Sequence, residues 1–435
     1  MMVSTNAAIL VLFGSLFVFL LCRVPIAFSL AFSSLLTCVL SGINILTILQ
    51  KMVSGMNSFT LLAIPFFLLC GEIMNQGGIS EKIVKFANAY VGHWHGGVAQ
   101  VNIMSSMLFG GISGSPVADC ASLGPFEIKL MKDSGYDGPF STALTVASSC
   151  QATLIPPSHN MVIYALVAGS SVSIGALLMA GLVPGVILGI ALMVYVYINA
   201  RVNHRPRGPK FTAKEKVHAL VDAFFALLTV IIIVVGVCGG ICTATESAAV
   251  ACVYAFIITF FVYRTVPFKA FFKICRKTLN TLAMVLALMS TAQIFSYLMA
   301  YLKIPTLITN ALLSLSDNKV VIFLLINLVL LLLGCIMDMA PLIVICTPIL
   351  LPVVQSFGMN PIQFGVVMIL NLSIGLCTPP VGCALFVGCS VGREKMGAVS
   401  KQLLPMFAVM IIVLILVTFV PALSMTLPNL IGYST

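Results

Sequence analysis

The chain has 435 residues, of which 60% are hydrophobic and only 8% are charged. Soluble domains carry about 25% charged residues, so this composition excludes a soluble globular protein and makes lipid the solvent for most of the chain. The net charge of +10 does not indicate nucleic-acid binding. The basic residues lie in short segments between apolar runs, as in the cytoplasmic loops of membrane proteins.

Eight long apolar runs follow one another along the chain, most of them near the ~20 residues that a spanning helix needs. The first run is predicted to be a retained spanning helix. Residues 1–21 lack the basic region and the small-residue cleavage site of a signal peptide. The runs cover residues 6–22, 24–40, 59–75, 175–199, 218–237, 245–263, 279–301 and 403–427.

Four further apolar regions are interrupted by Gly or Pro, and the pieces on either side are mostly too short to span a bilayer alone. Two are broken by Gly-rich segments and two by Pro-Pro pairs. Paired, broken segments in the two halves of a chain are the best sequence indication of a transporter binding site. The regions are 98–131 (broken at 110–116), 139–172 (at 155–158), 319–356 (at 334–341) and 361–392 (at 377–380).

An internal repeat relates the two halves. A shift of 223 residues superimposes six Gly or Pro positions, which predicts a first repeat over 1–205, a linker over 206–217 and a second repeat over 218–435. The alternative is that Gly and Pro merely recur in membrane helices. The six pairs are Gly111 and Gly334, Pro125 and Pro348, Gly135 and Gly358, Pro156 and Pro379, Pro157 and Pro380, and Gly169 and Gly392.

The positions of the basic residues predict the topology. We treat regions 98–131 and 319–356 as re-entrant hairpins and each Pro-Pro region as one broken spanning helix. Each half then crosses the membrane an odd number of times, so the second repeat is inverted. With both termini outside, in the periplasm, only Lys51, Lys303 and Lys319 of the 22 Lys and Arg lie outside, as the positive-inside rule requires.

Two stretches, 79–92 and 265–278, mix basic and aromatic residues. This pattern predicts helices that lie at the cytoplasmic interface, although basic loops flanking spanning helices remain an alternative. The fourteen cysteines and five histidines predict neither a disulfide framework nor a metal centre. Most cysteines lie inside apolar segments, and there they act as small hydrophobic residues.

The broken segments carry the chemistry. Irregular backbone at membrane depth survives only where it lines a cavity or binds a ligand. Exposed carbonyls at a half-helix end suit Na⁺, whereas free N–H groups and the positive end of the next half-helix suit an anionic substrate. The hydroxyl and amide side chains near the breaks are hard oxygen ligands of the kind Na⁺ prefers: Ser113, Ser115, Ser148, Ser149, Ser158, Asn160, Asn371, Ser373 and Thr378.

Carboxylates within apolar segments are candidates for function. Asp119 and Asp338 lie close to the two Gly-rich breaks, where each is expected either to act in the site or to cap a short helix. Glu246 follows Thr243-Ala244-Thr245 and is expected to stabilise the first turn of a helix. The sequence contains no Walker A, HExxH or EF-hand motif. We therefore expect that the protein is not an enzyme. The energy for its activity is expected to come from an ion gradient or from a partner protein.

Several motifs, in order, resemble the large membrane subunit of tripartite ATP-independent periplasmic (TRAP) transporters. They are LLAIPFFLLCGEIMNQGG (61–78), FGGISGSPVADCASLG (109–124), IPPS (155–158), TATESAA (243–249) and NLSIGLCTPPVG (371–382). The resemblance implies an all-α polytopic permease of the ion-transporter superfamily, built of two inverted repeats and working as an elevator in the bacterial inner membrane. It also implies Na⁺-coupled import of an organic acid, a carboxylate or sugar acid, delivered by a periplasmic substrate-binding protein. Na⁺ is the coupling ion, no other cofactor is expected, and a small four-helix membrane subunit is expected as a separate polypeptide.

The resemblance also assigns sites. One Na⁺ site would involve Ser113, Gly114, Ser115, Ser149 and Pro156, and the other Gly334, Asp338, Ala340, Thr378 and Gly382. The substrate is expected at Ser158, Asn160, Asn371, Ser373, Pro379 and Pro380. Cys150-Gln151 and His159 depart from the family's usual residues.

Two other functions remain open. A stand-alone Na⁺-coupled dicarboxylate or anion symporter of the same superfamily would need no binding protein. The second alternative is a membrane enzyme or assembly scaffold. The predicted symmetry of the two hairpins argues against it.

Overall fold

The computed structural model describes residues 5–22, 24–57, 59–203, 205, 208, 210–238, 241–315, 318–379 and 381–432. These residues form helices and connecting turns, with no strand among them. The prediction of an all-α polytopic protein is confirmed. Six helices of the described part are long and apolar enough to cross a membrane.

The described residues of the first half form eleven α-helices, with short 3₁₀ segments at 59–62, 150–153 and 169–171. The predicted break in 98–131 separates α6 from α7, and the predicted break in 139–172 separates α9 from α10. The helices are α1 (Thr5–Leu21), α2 (Ile26–Leu40), α3 (Ile45–Met56), α4 (Ala63–Gln76), α5 (Ile79–Val91), α6 (Gly97–Ser113), α7 (Pro116–Ser122), α8 (Gly124–Asp133), α9 (Gly138–Ser149), α10 (His159–Ala168) and α11 (Ile174–Val202).

In the described part of the second half there are ten α-helices, and a π-helical segment at 258–263 extends α13. The break in 319–356 separates α16 from α17, and the break in 361–392 separates α18 from α19. The helices are α12 (Ala213–Cys238), α13 (Ala244–Ile257), α14 (Ala270–Tyr301), α15 (Ile304–Leu315), α16 (Lys319–Gly334), α17 (Met339–Ser356), α18 (Pro361–Leu376), α19 (Cys383–Gly392), α20 (Met396–Phe419) and α21 (Ala422–Leu430).

Polar caps define where several apolar helices begin. Asn44 and Asn360 accept hydrogen bonds from the backbone N–H two residues further on, at 2.9 and 2.8 Å. Thr243 and Glu246 form a reciprocal capping box at the start of α13, so the expected first-turn role of Glu246 is confirmed. Each cap satisfies backbone donors that the first turn leaves free.

The helices pack into two groups. One group contains α1–α4 and α12–α14, and the other contains α6–α11 and α16–α21. The groups also touch directly, chiefly where α14 packs on α17 and α4 packs on α6. Two short helices connect the groups along the chain. In the first half α5 lies between α4 and α6, and in the second half α15 lies between α14 and α16. α5 packs on both α6 and α12, and α15 packs on both α14 and α17, so each touches both groups.

Two predicted elements differ from the structure. Residues 270–278 are not a separate interfacial helix but the first turns of the 32-residue helix α14. No Gly or Pro lies between 268 and 301, so nothing breaks the helix where its basic part meets its apolar part. The run 403–427 divides into α20 and α21, because α20 ends at Phe419, two residues before Pro421.

Candidate functional site

The turn between α6 and α7 forms the tip of the first hairpin. Gly114 ends α6 with φ of +61°, a left-handed conformation that favours glycine. The Ser115 hydroxyl then accepts a hydrogen bond from the Ala118 N–H at 3.5 Å, and Pro116 occupies the first helical position of α7. The sequence Gly-Ser-Pro thus ends one helix and starts the next within three residues.

This tip packs directly on the first helix break. A Cβ on Gly114 would lie 2.8 Å from the Pro157 carbonyl oxygen, and one on Gly111 would lie 3.0 Å from that of Pro156. A larger residue at Gly114 would also meet the Ser158 Cα at 3.2 Å. The glycines of the hairpin therefore allow its backbone to approach the irregular backbone between α9 and α10.

Two hydroxyl oxygens are left free where the tip meets the break. The Oγ atoms of Ser113 and Ser158 are buried and have no hydrogen-bond partner among the described residues. An unpaired buried hydroxyl costs roughly 1–3 kcal/mol. Ser149, at the end of α9, already donates its hydroxyl hydrogen to the Val146 carbonyl at 2.8 Å, which leaves its oxygen lone pairs able to accept.

The second hairpin tip packs on the second break in the same manner. The Cys335 carbonyl accepts hydrogen bonds from the N–H groups of Val381 and Gly382, at 3.2 and 3.4 Å. A Cβ on Gly375 in α18 would lie only 2.7 Å from the Gly334 Cα at the end of α16. Two glycines thus let the hairpin and the broken helix cross at backbone distance.

The remaining predicted residues of the second Na⁺ site surround this tip. Asp338 is exposed and precedes α17, but its side chain makes no capping hydrogen bond. Ala340 is buried in the first turn of α17. Thr378 donates its hydroxyl to the Ile374 carbonyl at 2.9 Å, and Gly382 starts α19 with φ of +41°. Both sets of predicted Na⁺ ligands are therefore distributed over a tip and the break it contacts.

The predicted substrate residues are not gathered at one surface. Ser158 and Asn160 are buried at the start of α10, and Pro379 is exposed in the second break. Pro380 lies outside the described residues. Ser373 donates its hydroxyl to the Cys150 carbonyl at 3.3 Å, between the two halves.

Asn371 joins α18 to the second hairpin. Its side-chain N–H₂ donates to the Oδ1 of Asn327 in α16 at 2.8 Å, and the Asn327 N–H₂ donates to the Thr418 hydroxyl at 3.1 Å. This network positions the hairpin, and the arrangement has a counterpart in the first half. There Ser148 donates to the Oδ1 of Asn102 in α6 at 2.8 Å.

The first hairpin buries two carboxylates. Asp119 is fully buried and does not cap a helix, because Ser115 holds that position; the expected capping role is not seen. Neither of its oxygens accepts a hydrogen bond of normal geometry, although the Ser106 hydroxyl is near enough to interact. The Glu127 Oε1 accepts a hydrogen bond from Ser105 at 2.6 Å. Glu127 was not among the predicted functional residues. Its position inside a predicted membrane hairpin was the signal that could have identified it.

Open space lies between the two packed groups. A cavity of about 160 Å³ separates α3 and α14 from α10 and is lined in part by Ser54, Gln293 and Ser296. A cavity of about 630 Å³ lies between the α10–α11 connection and the start of α13. A third cavity, of about 730 Å³, lies outside this gap, between α5 and α12, and none of the predicted site residues lines it.

Two helical hairpins seated on two broken helices, with six candidate spanning helices in the described part of the chain, are the arrangement of a multi-pass membrane transporter. Residues 13–423 match the family described as tripartite ATP-independent periplasmic transporter, DctM component. The chain belongs to this family, so the predicted family and the prediction of no enzyme are confirmed.

Similar proteins agree with this assignment. The chain is 41% identical to the sialic acid TRAP transporter large permease protein SiaM of Vibrio cholerae, over 94% of this chain and 96% of that protein. It is 33% identical to the C4-dicarboxylate TRAP transporter large permease protein DctM of Rhodobacter capsulatus, over 97% and 99% of the two chains. The crystal structure of the Alcanivorax borkumensis YdaH transporter matches 88% of both chains with a TM-score of 0.60. At 15% identity, that likeness concerns the fold alone.

Proposed function

We propose that this chain is the permease subunit of a Na⁺-coupled secondary transporter that imports an organic acid from a periplasmic binding protein. The observation that carries the proposal is the seating of each hairpin tip on a helix break, with unpaired hydroxyls at the first tip. Such hydroxyls, together with free carbonyls and helix starts, offer oxygen ligands to a cation and N–H groups to an anion.

We propose that the two halves are inverted repeats. The first residues of α7 and α17, Pro116 and Met339, are 223 positions apart, as are those of α9 and α18, Gly138 and Pro361. The turns before α9 and α18 each contain a left-handed glycine, Gly135 with φ of +85° and Gly358 with φ of +83°. The packing is also reciprocal, because α7 contacts α19 and α17 contacts α10.

Each hairpin tip would bind one Na⁺. At the first tip, the oxygens of Ser113 and Ser158 are buried without a partner, which is unfavourable. A bound cation would remove this penalty, so Na⁺ binding would favour the packing of the tip on the helix break. At the second tip, Asp338, Thr378 and the backbone around Gly382 offer a carboxylate, a hydroxyl and carbonyls. All of these are the hard oxygen ligands that suit Na⁺.

The division of the helices supports an elevator mechanism. Both hairpins and both broken helices belong to the same packed group, so they would move as one body that carries the ions and the substrate. The other group, α1–α4 with α12–α14, would stay fixed. The short helices α5 and α15 join the two groups and would act as the connecting arms.

The substrate would be a carboxylate or sugar acid. Relatives are named as permeases for sialic acid and C4-dicarboxylates, both anions at neutral pH. A periplasmic binding protein would deliver the acid, and a small four-helix membrane subunit would pack on the fixed group. We place the chain in the bacterial inner membrane with both termini in the periplasm, as the distribution of Lys and Arg favours.

Uptake by proteoliposomes tests this function. The chain and its small subunit are reconstituted, and labelled organic acids are offered with and without the binding protein under an inward Na⁺ gradient. We expect uptake only when the binding protein is present. Equal uptake without it would instead support the stand-alone symporter, and no uptake of any acid with all components present would contradict the proposal.

A further inference from the structure

Two cysteine thiols meet at the centre of the hairpin-bearing group. The Sγ atoms of Cys150 and Cys377 are 3.1 Å apart, and both residues are fully buried. Cys150 starts the 3₁₀ turn after α9, and Cys377 directly follows α18. The contact therefore joins the two broken helices, one from each half of the chain.

The hydrogen bonds orient the two sulfurs toward each other. The Cys150 thiol is 3.4 Å from the Ser373 carbonyl, and the Cys377 thiol is 3.3 Å from the Val146 carbonyl. When each S–H donates to its carbonyl, the sulfur lone pairs are left facing across the 3.1 Å gap. A third thiol, Cys120, is also fully buried, but it contacts the Thr145 carbonyl at 3.8 Å instead.

We propose that Cys150 and Cys377 form a redox-sensitive dithiol site that a hydroperoxide closes to a disulfide. One thiol sulfur attacks a peroxide oxygen, which breaks the O–O bond and gives a sulfenic acid and one water. The second thiol attacks the sulfenic sulfur, which forms the S–S bond and releases a second water. Two thiols and one hydrogen peroxide thus give one disulfide and two waters. Burial makes the first step slow, so the site responds to sustained oxidant.

Closure of this bond affects the proposed cation sites, and this part of the inference rests on the proposed function. Cys150 follows Ser149 in the chain, and Cys377 precedes Thr378, so a residue of each site is next to one of the thiols. Bond formation draws the sulfurs together by about 1 Å, to a disulfide length of about 2.0 Å. A displacement of about 1 Å in a binding site can cost ~10²-fold in activity. Oxidation is therefore expected to reduce uptake at least about tenfold.

Mass spectrometry of the purified chain with its small subunit tests the site independently of transport. The complex is treated with hydrogen peroxide, and in parallel with iodine, a small apolar oxidant. Free thiols are then alkylated, and the non-reduced digest is analysed. We expect a Cys150–Cys377 peptide pair that has lost two hydrogen atoms in wild type and in Cys120→Ser. The pair should be absent in Cys150→Ser and Cys377→Ser.

The site is overturned when neither oxidant gives this pair although the exposed Cys22 is oxidised, or when Cys120 replaces either partner. Uptake by oxidised proteoliposomes then tests the consequence. Inhibition that dithiothreitol reverses in wild type and that is absent in Cys150→Ser supports the link to the cation sites. Unchanged uptake by fully cross-linked protein overturns that link and leaves the proposed transport function intact.

Discussion

Cys150 and Ser373 are 223 positions apart and bind each other's backbone. The Cys150 thiol donates to the Ser373 carbonyl at 3.4 Å, and the Ser373 hydroxyl donates to the Cys150 carbonyl at 3.3 Å. A contact in which two equivalent residues exchange the same hydrogen bond is the signature of a two-fold axis. The same offset relates the Pro-Pro breaks, so this contact supports the proposed inverted repeat.

Loss of either unpaired hydroxyl at the first tip should weaken Na⁺ binding. Ser113→Ala and Ser158→Ala each remove one candidate oxygen ligand of the cation. A hydrogen bond or contact to a charged group contributes about 1.5–3 kcal/mol, so the Na⁺ concentration for half-maximal effect should rise at least about tenfold. The measurement is the Na⁺-dependent rise in apparent melting temperature, with K⁺ as the reference ion.

Ser134→Ala is the matched control for these variants. Its hydroxyl donates to the Leu130 carbonyl at 2.8 Å, directly after α8 and outside the hairpin tip. This variant should keep the wild-type Na⁺ response. Unchanged responses in both Ser113→Ala and Ser158→Ala would show that the first tip does not bind the ion.

Addition of a methyl group at Gly375 should destabilise the second site. The new Cβ would lie 2.7 Å from the Gly334 Cα, and the nearest atoms all belong to the backbone of residues 334–335, which cannot shift as easily as a side chain. Overpacking of this kind costs about 1–3 kcal/mol. Gly375→Ala should therefore lower the apparent melting temperature, whereas Gly397→Ala, where nothing lies within 4 Å of the new Cβ, should leave it unchanged or slightly higher.

Asn327 and Asn371 should act as one unit in stability. Asn371→Ala leaves the Oδ1 of Asn327 without its donor, and Asn327→Ala removes one of the two acceptors of the Asn371 N–H₂, the other being the Asn327 backbone carbonyl at 2.9 Å. A buried polar group left without a partner costs about 1–3 kcal/mol. Asn327→Ala and Asn371→Ala should each destabilise the protein, and the double variant should cost at least about 0.5 kcal/mol less than the two losses added. Equilibrium unfolding in mixed micelles measures the cycle. Strict additivity, or a loss of uptake without loss of stability in Asn371→Ala, would instead favour contact with substrate.

Membrane topology should separate Lys210 from Lys303, both of which are exposed. A cysteine introduced at Lys210 should react with an impermeant maleimide only from the cytoplasm, and one at Lys303 only from the periplasm. Wild type gives the background from native cysteines such as the exposed Cys22. Labelling of Lys210→Cys in intact cells would place this loop in the periplasm and contradict the proposed orientation.

The sequence predicted the fold well where strong local signals exist. Gly and Pro both end helices. The structure breaks its helices at Gly114 and at Pro156–Pro157, as the sequence predicted. The helix α3, only 12 residues long, escaped prediction because it is shorter than a spanning helix. The predicted division between an interfacial helix (265–278) and a spanning run (279–301) was wrong. Charge and hydropathy change near residue 278, but one helix continues from Ala270 to Tyr301.

Prediction of individual contacts in the site was harder. Hydroxyl and amide residues near a break are visible in a sequence, but their partners depend on how four elements meet. The substrate role of Asn371 stays a prediction, and its hydrogen bond to Asn327, 44 positions away, was not predicted. The thiol contact between Cys150 and Cys377 joins residues 227 positions apart. Such pairs follow from tertiary packing, which periodicity and local motifs do not encode.

The dependence of uptake on the Na⁺ gradient tests whether the hairpin tips couple transport to Na⁺. Proteoliposomes with both membrane subunits and substrate-loaded binding protein are prepared with Na⁺ outside, with equal Na⁺ on both sides, or with K⁺ in its place. We expect accumulation of the organic acid only when Na⁺ is higher outside. Accumulation that persists in K⁺, driven by a pH gradient alone, would contradict Na⁺ coupling at the hairpin tips.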